Sequence, residues 1–406
     1  MTYKVKRANR LLNKILKKTL GPYLARHYRI EYIEENMQGL KPPFVVIANH
    51  TNNWDPFIIS YKIDAPIHFV TSVEQFRSRF MRFVLGLAGC IPKTKAMSDA
   101  STVKGLFQVR NRGDVVGVFP EGMRCWDGKT VEILYPTAKV LKSMSVPVVS
   151  FRINGAYLSH PRWALKSRRG KIQVRYGILF TAEQLKVLSV DEIYERMCAA
   201  LRTDEYRWQE EQMIPFVGPR LAEALERVLF LCPKCMAIGK LFSKDDTLTC
   251  LACGETVRYN TYGYFEKDGG PPYFKSVLEW NQWQLKKLED MVRDRMANPQ
   301  EPIFEDRDAT LLRGRRFEAI RKEKKGTLRL YVDHLELIGQ DNQKISFDLY
   351  HMNGVSTHLT DWFDFYHEGH FHRVAFKDHH ISANKYTEAY EVIKRLALVK
   401  GHPKEE

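Results

Sequence analysis

The stretch Phe44-Val-Val-Ile-Ala-Asn-His-Thr-Asn-Asn-Trp-Asp55 begins with five apolar residues and ends in polar ones. The apolar run predicts a buried strand, and the polar residues predict a turn at the end of that strand, where a sheet can present side chains to a ligand. In this turn, His50 supplies a base that titrates near neutrality, and Asp55 supplies a carboxylate able to accept its second N–H. The pair also fits a purely structural role, in which Asp55 caps the next helix.

A second strand runs into the stretch Val115-Val-Gly-Val-Phe-Pro-Glu-Gly-Met-Arg124. Arginine offers a planar fork suited to phosphate, and Gly122 allows close approach of the backbone. Further apolar runs at 146–153 and 171–180 alternate with helix-length stretches at 56–63, 73–87 and 98–112. Strands that alternate with helices predict an α/β domain with a mixed or largely parallel sheet.

These two segments resemble the Asn-His-x-x-x-x-Asp and Phe-Pro-Glu-Gly-x-Arg blocks of the glycerolipid acyltransferase family, whose type member acylates lysophosphatidic acid. Gly89-Cys-Ile-Pro-Lys-Thr-Lys95 resembles the family's Gly-x-Ile-Pro-x-x-Arg block, and Val146-Pro-Val-Val with Gly155 resembles the Val-Pro block that ends the site. The four blocks occur in the family's order. The resemblance covers roughly the first half of the chain, and these motifs are hypotheses that a structure can test.

The resemblance implies a mechanism in which His50 takes the proton of an acceptor hydroxyl while that oxygen attacks a fatty acyl thioester, and Asp55 holds and polarises His50. The acyl donor is expected to be acyl-CoA or acyl carrier protein, and the acceptor a lysophospholipid such as lysophosphatidic acid. The residues implied to bind the acceptor's polar head are Glu121, Gly122, Arg124, Lys95 and Lys93. Lysine at 95, where the family commonly has arginine, leaves the acceptor open because it lacks a bidentate fork.

An acyl chain needs an apolar channel, and helix positions near the two motifs offer candidates. Each of these side chains could equally pack against the sheet as ordinary core. The candidates are Phe57, Ile58, Phe76 and Phe80.

Two Cys-x-x-Cys pairs, Cys232-Pro-Lys-Cys235 and Cys250-Leu-Ala-Cys253, are separated by fourteen residues that could form a hairpin. Two such turns can aim four thiolates at one cation, the tetrahedral arrangement of structural zinc. Redox pairs or free thiols are the alternative. A closed four-sulfur site has no open position, so its role should be structural or partner-binding, and not catalytic.

The formal charge of +15 indicates a polyanionic partner, and nine Lys/Arg with no Asp/Glu precede Glu31. Residues 10–20 predict an amphipathic helix with basic edges, which could lie in the interface of an anionic membrane or pack on the core. No apolar run is long enough to span a bilayer. We therefore expect a peripheral protein on the cytoplasmic face of a membrane, and no nucleic-acid partner, because the charge does not follow an aromatic-studded groove.

The predicted organisation is a basic membrane-associating helix (1–30), an acyltransferase domain (31–215), a zinc ribbon with flanking helices (216–300) and a β-rich module with a terminal helix (301–400). The last module resembles a pleckstrin-homology or GRAM-like barrel. Its His367-Glu-Gly-His-Phe-His372 stretch could bind a metal or form a hairpin tip. Two other functions stay open: an inactive lipid-binding membrane adaptor, and an acyltransferase for a different lysolipid or a non-glycerol acceptor.

Overall fold

The first half of the chain forms an α/β unit. The computed structural model describes residues 4–94, 100–315 and 318–399. The helices of this unit are α1 (Arg10–Lys18), α2 (Leu20–His27), α3 (Asp55–Ser60), α4 (Arg79–Leu87), α5 (Ala100–Asn111), α6 (Tyr135–Met144), α7 (Ala156–Ser159), α8 (Ala182–Val187), α9 (Val190–Leu201) and α10 (Glu205–Gln212). Its strands are β1 (Glu31–Glu34), β2 (Val45–Ala48), β3 (Ile67–Ser72), β4 (Ile91–Lys93), β5 (Val115–Val118), β6 (Val148–Asn154) and β7 (Gln173–Phe180).

These strands form one mixed sheet in the order β1-β7-β6-β2-β5-β3-β4. Strands β2 to β6 run parallel, β7 is antiparallel to β6, and β1 is parallel to β7. Side chains of a strand alternate between faces, so Val45 and Ile47 pack against α5, α6 and α9, while Val46 and Ala48 pack against α2 and α3. Burial on both faces explains why β2 is apolar without interruption. The predicted mixed α/β sheet is confirmed.

The order of the sheet determines where the two motifs meet. Strands β2 and β5 are parallel neighbours, with Ile47 opposite Val118. Their carboxyl ends therefore lie at one edge of the sheet, and the loops that follow them, residues 49–55 and 119–124, are adjacent.

The middle segment contains a four-stranded antiparallel sheet and one long helix. Its elements are β8 (Leu241–Lys244), β9 (Thr247–Cys250), β10 (Thr256–Tyr259), β11 (Phe265–Glu266) and α11 (Val277–Ala297). Of the helices expected to flank the cysteine pairs, the one before Cys232 is not formed, since residues 219–231 hold only a short 3₁₀ turn at Leu225–Arg227. Two of its backbone N–H groups bond to side chains outside the segment: Leu221 donates to Asp246 Oδ1 and Ala224 to Ser243 Oγ.

The C-terminal part is a seven-stranded antiparallel sheet closed by a helix. Its elements are β12 (Phe304–Gly314), β13 (Arg321–Leu330), β14 (His334–Gly339), β15 (Lys344–Asp348), β16 (Asn353–His358), β17 (Trp362–His367), β18 (His370–Phe376) and α12 (Asn384–Val399). The strand order is β15-β14-β13-β12-β18-β17-β16, and α12 packs on β16 and β17. The expected β-rich region with a terminal helix is confirmed, and Glu368–Gly369 forms the expected hairpin turn, with both residues at positive φ.

The middle segment packs on both of its neighbours. Trp163 of the α/β unit meets Tyr259 edge-on, with ring centroids 5.7 Å apart, while Phe230 meets Phe304 of the C-terminal sheet at 6.2 Å. Arg227 forms an ion pair with Asp361 at 2.9 Å. Among the described helices, none combines the length and apolar character needed to cross a bilayer.

Candidate active site and four-cysteine cluster

His50 and Asp55 lie together at the carboxyl edge of the sheet. The Nδ1 of His50 is 2.8 Å from Oδ2 of Asp55, and the same oxygen accepts backbone N–H bonds from Thr51 at 2.8 Å and Asn52 at 2.9 Å. Asp55 is fully buried at the start of α3, whereas 22% of the His50 side chain is exposed. The carboxylate thus braces its own turn and also orients the imidazole, so Nε2 is the nitrogen left for chemistry.

Two aromatic rings fix the plane of the imidazole. Phe119 stacks on His50 with ring centroids 4.1 Å apart and an interplanar angle of 20°, and Phe69 stacks behind Phe119 at 5.6 Å. Phe119 follows β5 and Phe69 belongs to β3, so neighbouring strands supply both rings. The base is therefore held by packing as well as by its hydrogen bond.

Glu121 braces the loop that carries His50. Its Oε1 accepts the backbone N–H of His50 at 2.7 Å, and its Oε2 accepts that of Val131 at 3.1 Å. The residue is 4% exposed, and burial raises the pKa of its carboxyl to about 8. This arrangement differs from the expectation that Glu121 faces the acceptor, because both of its oxygens are engaged by the protein. Gly122 is exposed at φ +70°, a left-handed conformation that favours glycine.

The electrostatics of the site favour a neutral imidazole. Burial lowers the pKa of His50, the bond to Asp55 opposes this shift, and the charges of Arg124 and Arg162 lower the pKa further. A base must be unprotonated to accept a proton. The surroundings therefore keep His50 in the form that general-base chemistry needs.

Arg124 is the cation of the site. Burial lowers the pKa of its guanidinium, and its charge lowers the pKa of both His50 and His160, so it acts electrostatically on both rings. Over the described residues, no hydrogen bond or ion pair engages its guanidinium. A half-buried arginine without a protein partner, close to the candidate base, fits the binding of an anionic group.

The other predicted substrate contacts are less central. Lys93 ends β4, two strands away from β5, which corresponds to about 10 Å along the sheet edge. Lys95 lies outside the described residues. Of the channel candidates, Ile58 and Phe76 are buried in the core, whereas Phe80 is 71% exposed on α4. Phe80 is therefore not part of the core.

Sequence reasoning missed Arg162, which lies in the loop after α7. Its guanidinium donates hydrogen bonds to the backbone carbonyls of Arg124 at 3.0 Å, Thr357 at 2.7 Å and Leu359 at 3.3 Å. It also lies 4.0 Å from the centre of the Trp126 ring. Since two of these carbonyls belong to the C-terminal sheet, almost 200 residues away, no local pattern could have pointed to this role.

The four paired cysteines converge in the middle segment. Their sulfur atoms lie within 4.8 Å of one another, with Sγ–Sγ distances of 3.8 Å for Cys232–Cys253 and 3.7 Å for Cys235–Cys250. Sulfurs bound tetrahedrally to zinc at about 2.3 Å are about 3.8 Å apart. The donor set therefore fits a zinc ion. Each pair is followed by a residue at positive φ, Met236 and Gly254, so both turns share one backbone shape.

Comparison with known proteins supports an acyltransferase domain in the α/β unit. Residues 26–154, about a third of the chain, match the model of the family described as Acyltransferase. Among solved structures, the chain is similar to the 1-acyl-sn-glycerophosphate (LPA) acyltransferase PlsC from Thermotoga maritima, at 18% identity and a TM-score of 0.38, covering 45% of this chain and 76% of that one. A search of curated proteins finds no match.

Proposed function

We propose that this protein is an O-acyltransferase that transfers a fatty acyl group from acyl-CoA or acyl carrier protein to the hydroxyl of a lysophospholipid. The observation that carries this proposal is the 2.8 Å pair of His50 and Asp55 beside the guanidinium of Arg124, which no residue described by the structure engages. A base and a free cation at one sheet edge suit an acceptor with a hydroxyl and an anionic headgroup.

The chemistry balances without a covalent enzyme intermediate. The acceptor hydroxyl gives its proton to Nε2 of His50 while its oxygen forms a bond to the thioester carbonyl carbon. The carbon–sulfur bond then breaks, and the imidazolium returns the proton to the departing thiolate. Asp55 stabilises the imidazolium during this step, because its carboxylate bonds Nδ1–H.

Lysophosphatidic acid is the proposed acceptor, with phosphatidic acid as the product. The Arg124 guanidinium supports a phosphomonoester headgroup, since its planar fork can bond two phosphate oxygens. Lys93 and Lys95 are proposed to add positive charge at the rim, and Glu121 and Gly122 to shape the loop. Such a role would place the protein in phospholipid biosynthesis.

The remaining parts are proposed to support this activity. Helix α1 would associate with an anionic membrane on the cytoplasmic face, through lysines that have exposed side chains. The four cysteines would hold one structural zinc ion. The strand order of the C-terminal sheet and its terminal helix suit a pleckstrin-homology or GRAM-like module.

The test measures thiol release from acyl-CoA and formation of the acylated lipid across a panel of lysolipids. His50→Ala and Asp55→Ala should each lower turnover by about 100-fold to 10,000-fold, the usual contribution of a general base. His351→Ala is the matched control, because Nδ1 of His351 also lies 2.8 Å from a carboxylate, that of Asp348, on the exposed surface of the C-terminal sheet. If the parent shows no turnover with any acceptor and His50→Ala behaves identically, an inactive lipid-binding adaptor replaces this proposal.

A further inference from the structure

Helix α4 is largely apolar yet leaves two of its phenylalanines exposed. Gly86 is its one fully buried residue, and Phe80 and Phe83 are 71% and 63% exposed. These two phenylalanines are three residues apart, so they share one face of the helix. A single exposed apolar residue is ordinary, but two neighbouring exposed phenylalanines indicate a surface that is covered in use.

Helix α1 adjoins the end of α4. The backbone N–H of Asn9, which caps α1, donates to the carbonyl of Leu87 at 2.8 Å. None of the residues of α1 is fully buried, and its Leu11 and Ile15 are 67% and 49% exposed. The exposed cations of this helix are Arg10, Lys14 and Lys18, for which the described residues provide no ion pair.

The C-terminal sheet reaches the other end of α4. Arg77, just before this helix, donates through Nη1 to the carbonyls of Arg315 at 2.6 Å and Glu318 at 3.0 Å, in the turn between β12 and β13. Its guanidinium also lies 3.8 Å from the centre of the Phe371 ring. The start of α4 is thereby fixed against the C-terminal sheet.

This turn adds positive charge beside α4. The exposed cations are Arg315 in the turn, and Arg321 and Lys322 at the start of β13. Of the nearby acids, Glu323 pairs with Arg313 at 3.4 Å, and Glu318 is exposed. Positive charge is therefore in excess around this turn, which Arg77 holds against the start of α4.

The position of α4 relates this surface to the active site. Strand β3 ends at Ser72 and leads through the Val73–Arg77 turn into α4. Because β3 runs parallel to β5, the start of α4 lies at the same sheet edge as the loop of Arg124. A partner bound to the exposed surface of α4 would therefore lie on the same side of the sheet as the candidate active site.

We propose that α4, α1 and the β12–β13 turn together form one docking face for an anionic bilayer. Phe80 and Phe83 insert among the lipids, and the cations of α1 and of the turn meet anionic headgroups. The charge complementarity favours lipid over another occupant, since apolar side chains bordered by basic ones suit the membrane interface. This inference rests on the proposed lipid-modifying function, and it gives the C-terminal sheet a part in membrane binding.

The first experiment measures flotation with phosphatidylcholine vesicles that contain phosphatidylserine, using full-length His50→Ala protein so that turnover plays no part. Phe80→Ser combined with Phe83→Ser should lower the partition coefficient by about tenfold or more, because two apolar side chains lose a buried environment. Val187→Ser on α8 is the matched control. It is 81% exposed, and α8 follows β7 at the opposite sheet edge.

The second experiment reverses the charge of two cations at the start of β13, directly after the turn. Arg321→Glu with Lys322→Glu should weaken flotation with phosphatidylserine vesicles and reduce its salt dependence, whereas Lys139→Glu with Lys186→Glu, at exposed sites on α6 and α8, should have less effect. The docking face is refuted if the Phe80/Phe83 variant floats as well as the parent. It is also refuted if the parent does not bind anionic vesicles, in which case a protein partner would cover this surface. If the protein with His50 intact floats with the vesicles but shows no turnover, the acyltransferase proposal alone is refuted.

Discussion

The guanidinium of Arg162 donates a hydrogen bond to the backbone carbonyl of Arg124 at 3.0 Å. Its other bonds, to the carbonyls of Thr357 and Leu359, reach the end of β16 and the turn that follows. One buried cation therefore connects the segment that carries Arg124 to the C-terminal sheet. This contact makes the C-terminal sheet part of the frame of the candidate active site.

Replacing Arg162 should weaken acceptor binding more than donor binding. Arg162→Met leaves the Arg124 carbonyl without its donor and frees the backbone that aims the guanidinium. We expect KM for lysophosphatidic acid to rise roughly ten- to hundredfold, the equivalent of one hydrogen bond to a charged group, with KM for acyl-CoA little changed. Arg162→Lys, which keeps the charge and one donor, should recover part of the loss. Steady-state kinetics with each substrate varied in turn would show this.

Arg152→Met is the matched control for this prediction. Arg152 also donates to two backbone carbonyls, those of Ala199 and Arg202, both at 2.9 Å, but it does so at the end of α9. Its replacement should leave both KM values unchanged. Equal effects at 152 and 162 would mean that general loosening of the fold, and not the position of Arg124, explains the loss.

The pH dependence of kcat/KM should have its acidic limb below pH 6.5. Burial and the nearby guanidinium groups lower the pKa of His50 from the ordinary value of 6.5, so the imidazole loses its active neutral form only at more acidic pH. Arg124→Gln removes one of these cations and should move the limb toward higher pH, with Arg152→Gln as control. A parent limb above pH 7 would contradict the assignment of His50 as the base.

Burial of Glu205 predicts how stability changes with pH. This fully buried residue accepts the Gly155 N–H through both oxygens, at 3.0 and 2.8 Å, and burial raises its pKa to about 8. Because the folded pKa lies above the unfolded one, near 4.5, its contribution is complete below pH 4.5 and is lost as pH rises through 8. Thermal unfolding should show Tm falling between pH 5 and pH 8, and Glu205→Gln should reduce that fall.

Some of the fall should persist in Glu205→Gln, because burial also raises the pKa of Glu121 to about 8 and that of Glu388 to about 7. Glu211→Gln, at an exposed site on the same helix, should change the slope little. An unchanged slope in Glu205→Gln would show that this carboxyl does not take up a proton on folding.

Local patterns predicted the parts of the molecule whose causes are local. The apolar run of β2 is buried on both faces, as its composition predicted. His50 and Asp55 belong to one turn, so their separation of five residues was enough to predict that they lie together. Strand β12, in contrast, has no continuous apolar pattern, because Glu305, Arg307 and other polar residues interrupt it on an exposed face. Contacts between distant segments decided the rest.

Glu121 and Arg162 show why such contacts escape sequence analysis. The carboxylate of Glu121 is used by the backbone N–H of His50, seventy-one residues away, and Arg162 binds carbonyls 195 and 197 residues away. Every residue offers the same backbone groups, so the sequence does not indicate which backbone group a side chain will bond. The backbone partners of Glu121 were therefore not predicted, and its contact with an acceptor stays a prediction.

The last prediction concerns the metal of the middle segment. If the four cysteines hold zinc, purified protein should contain about one zinc per chain, and Cys235→Ser should lose most of it. Cys198→Ser, at a buried cysteine outside the cluster, should keep the metal. Because binding of structural zinc contributes to folding, a chelator or Cys235→Ser should also lower Tm and expose residues 216–300 to protease first. If the parent protein without zinc resists protease as well as the zinc-loaded protein, the cluster keeps its shape without a metal, through packing of the β8–β9 hairpin alone.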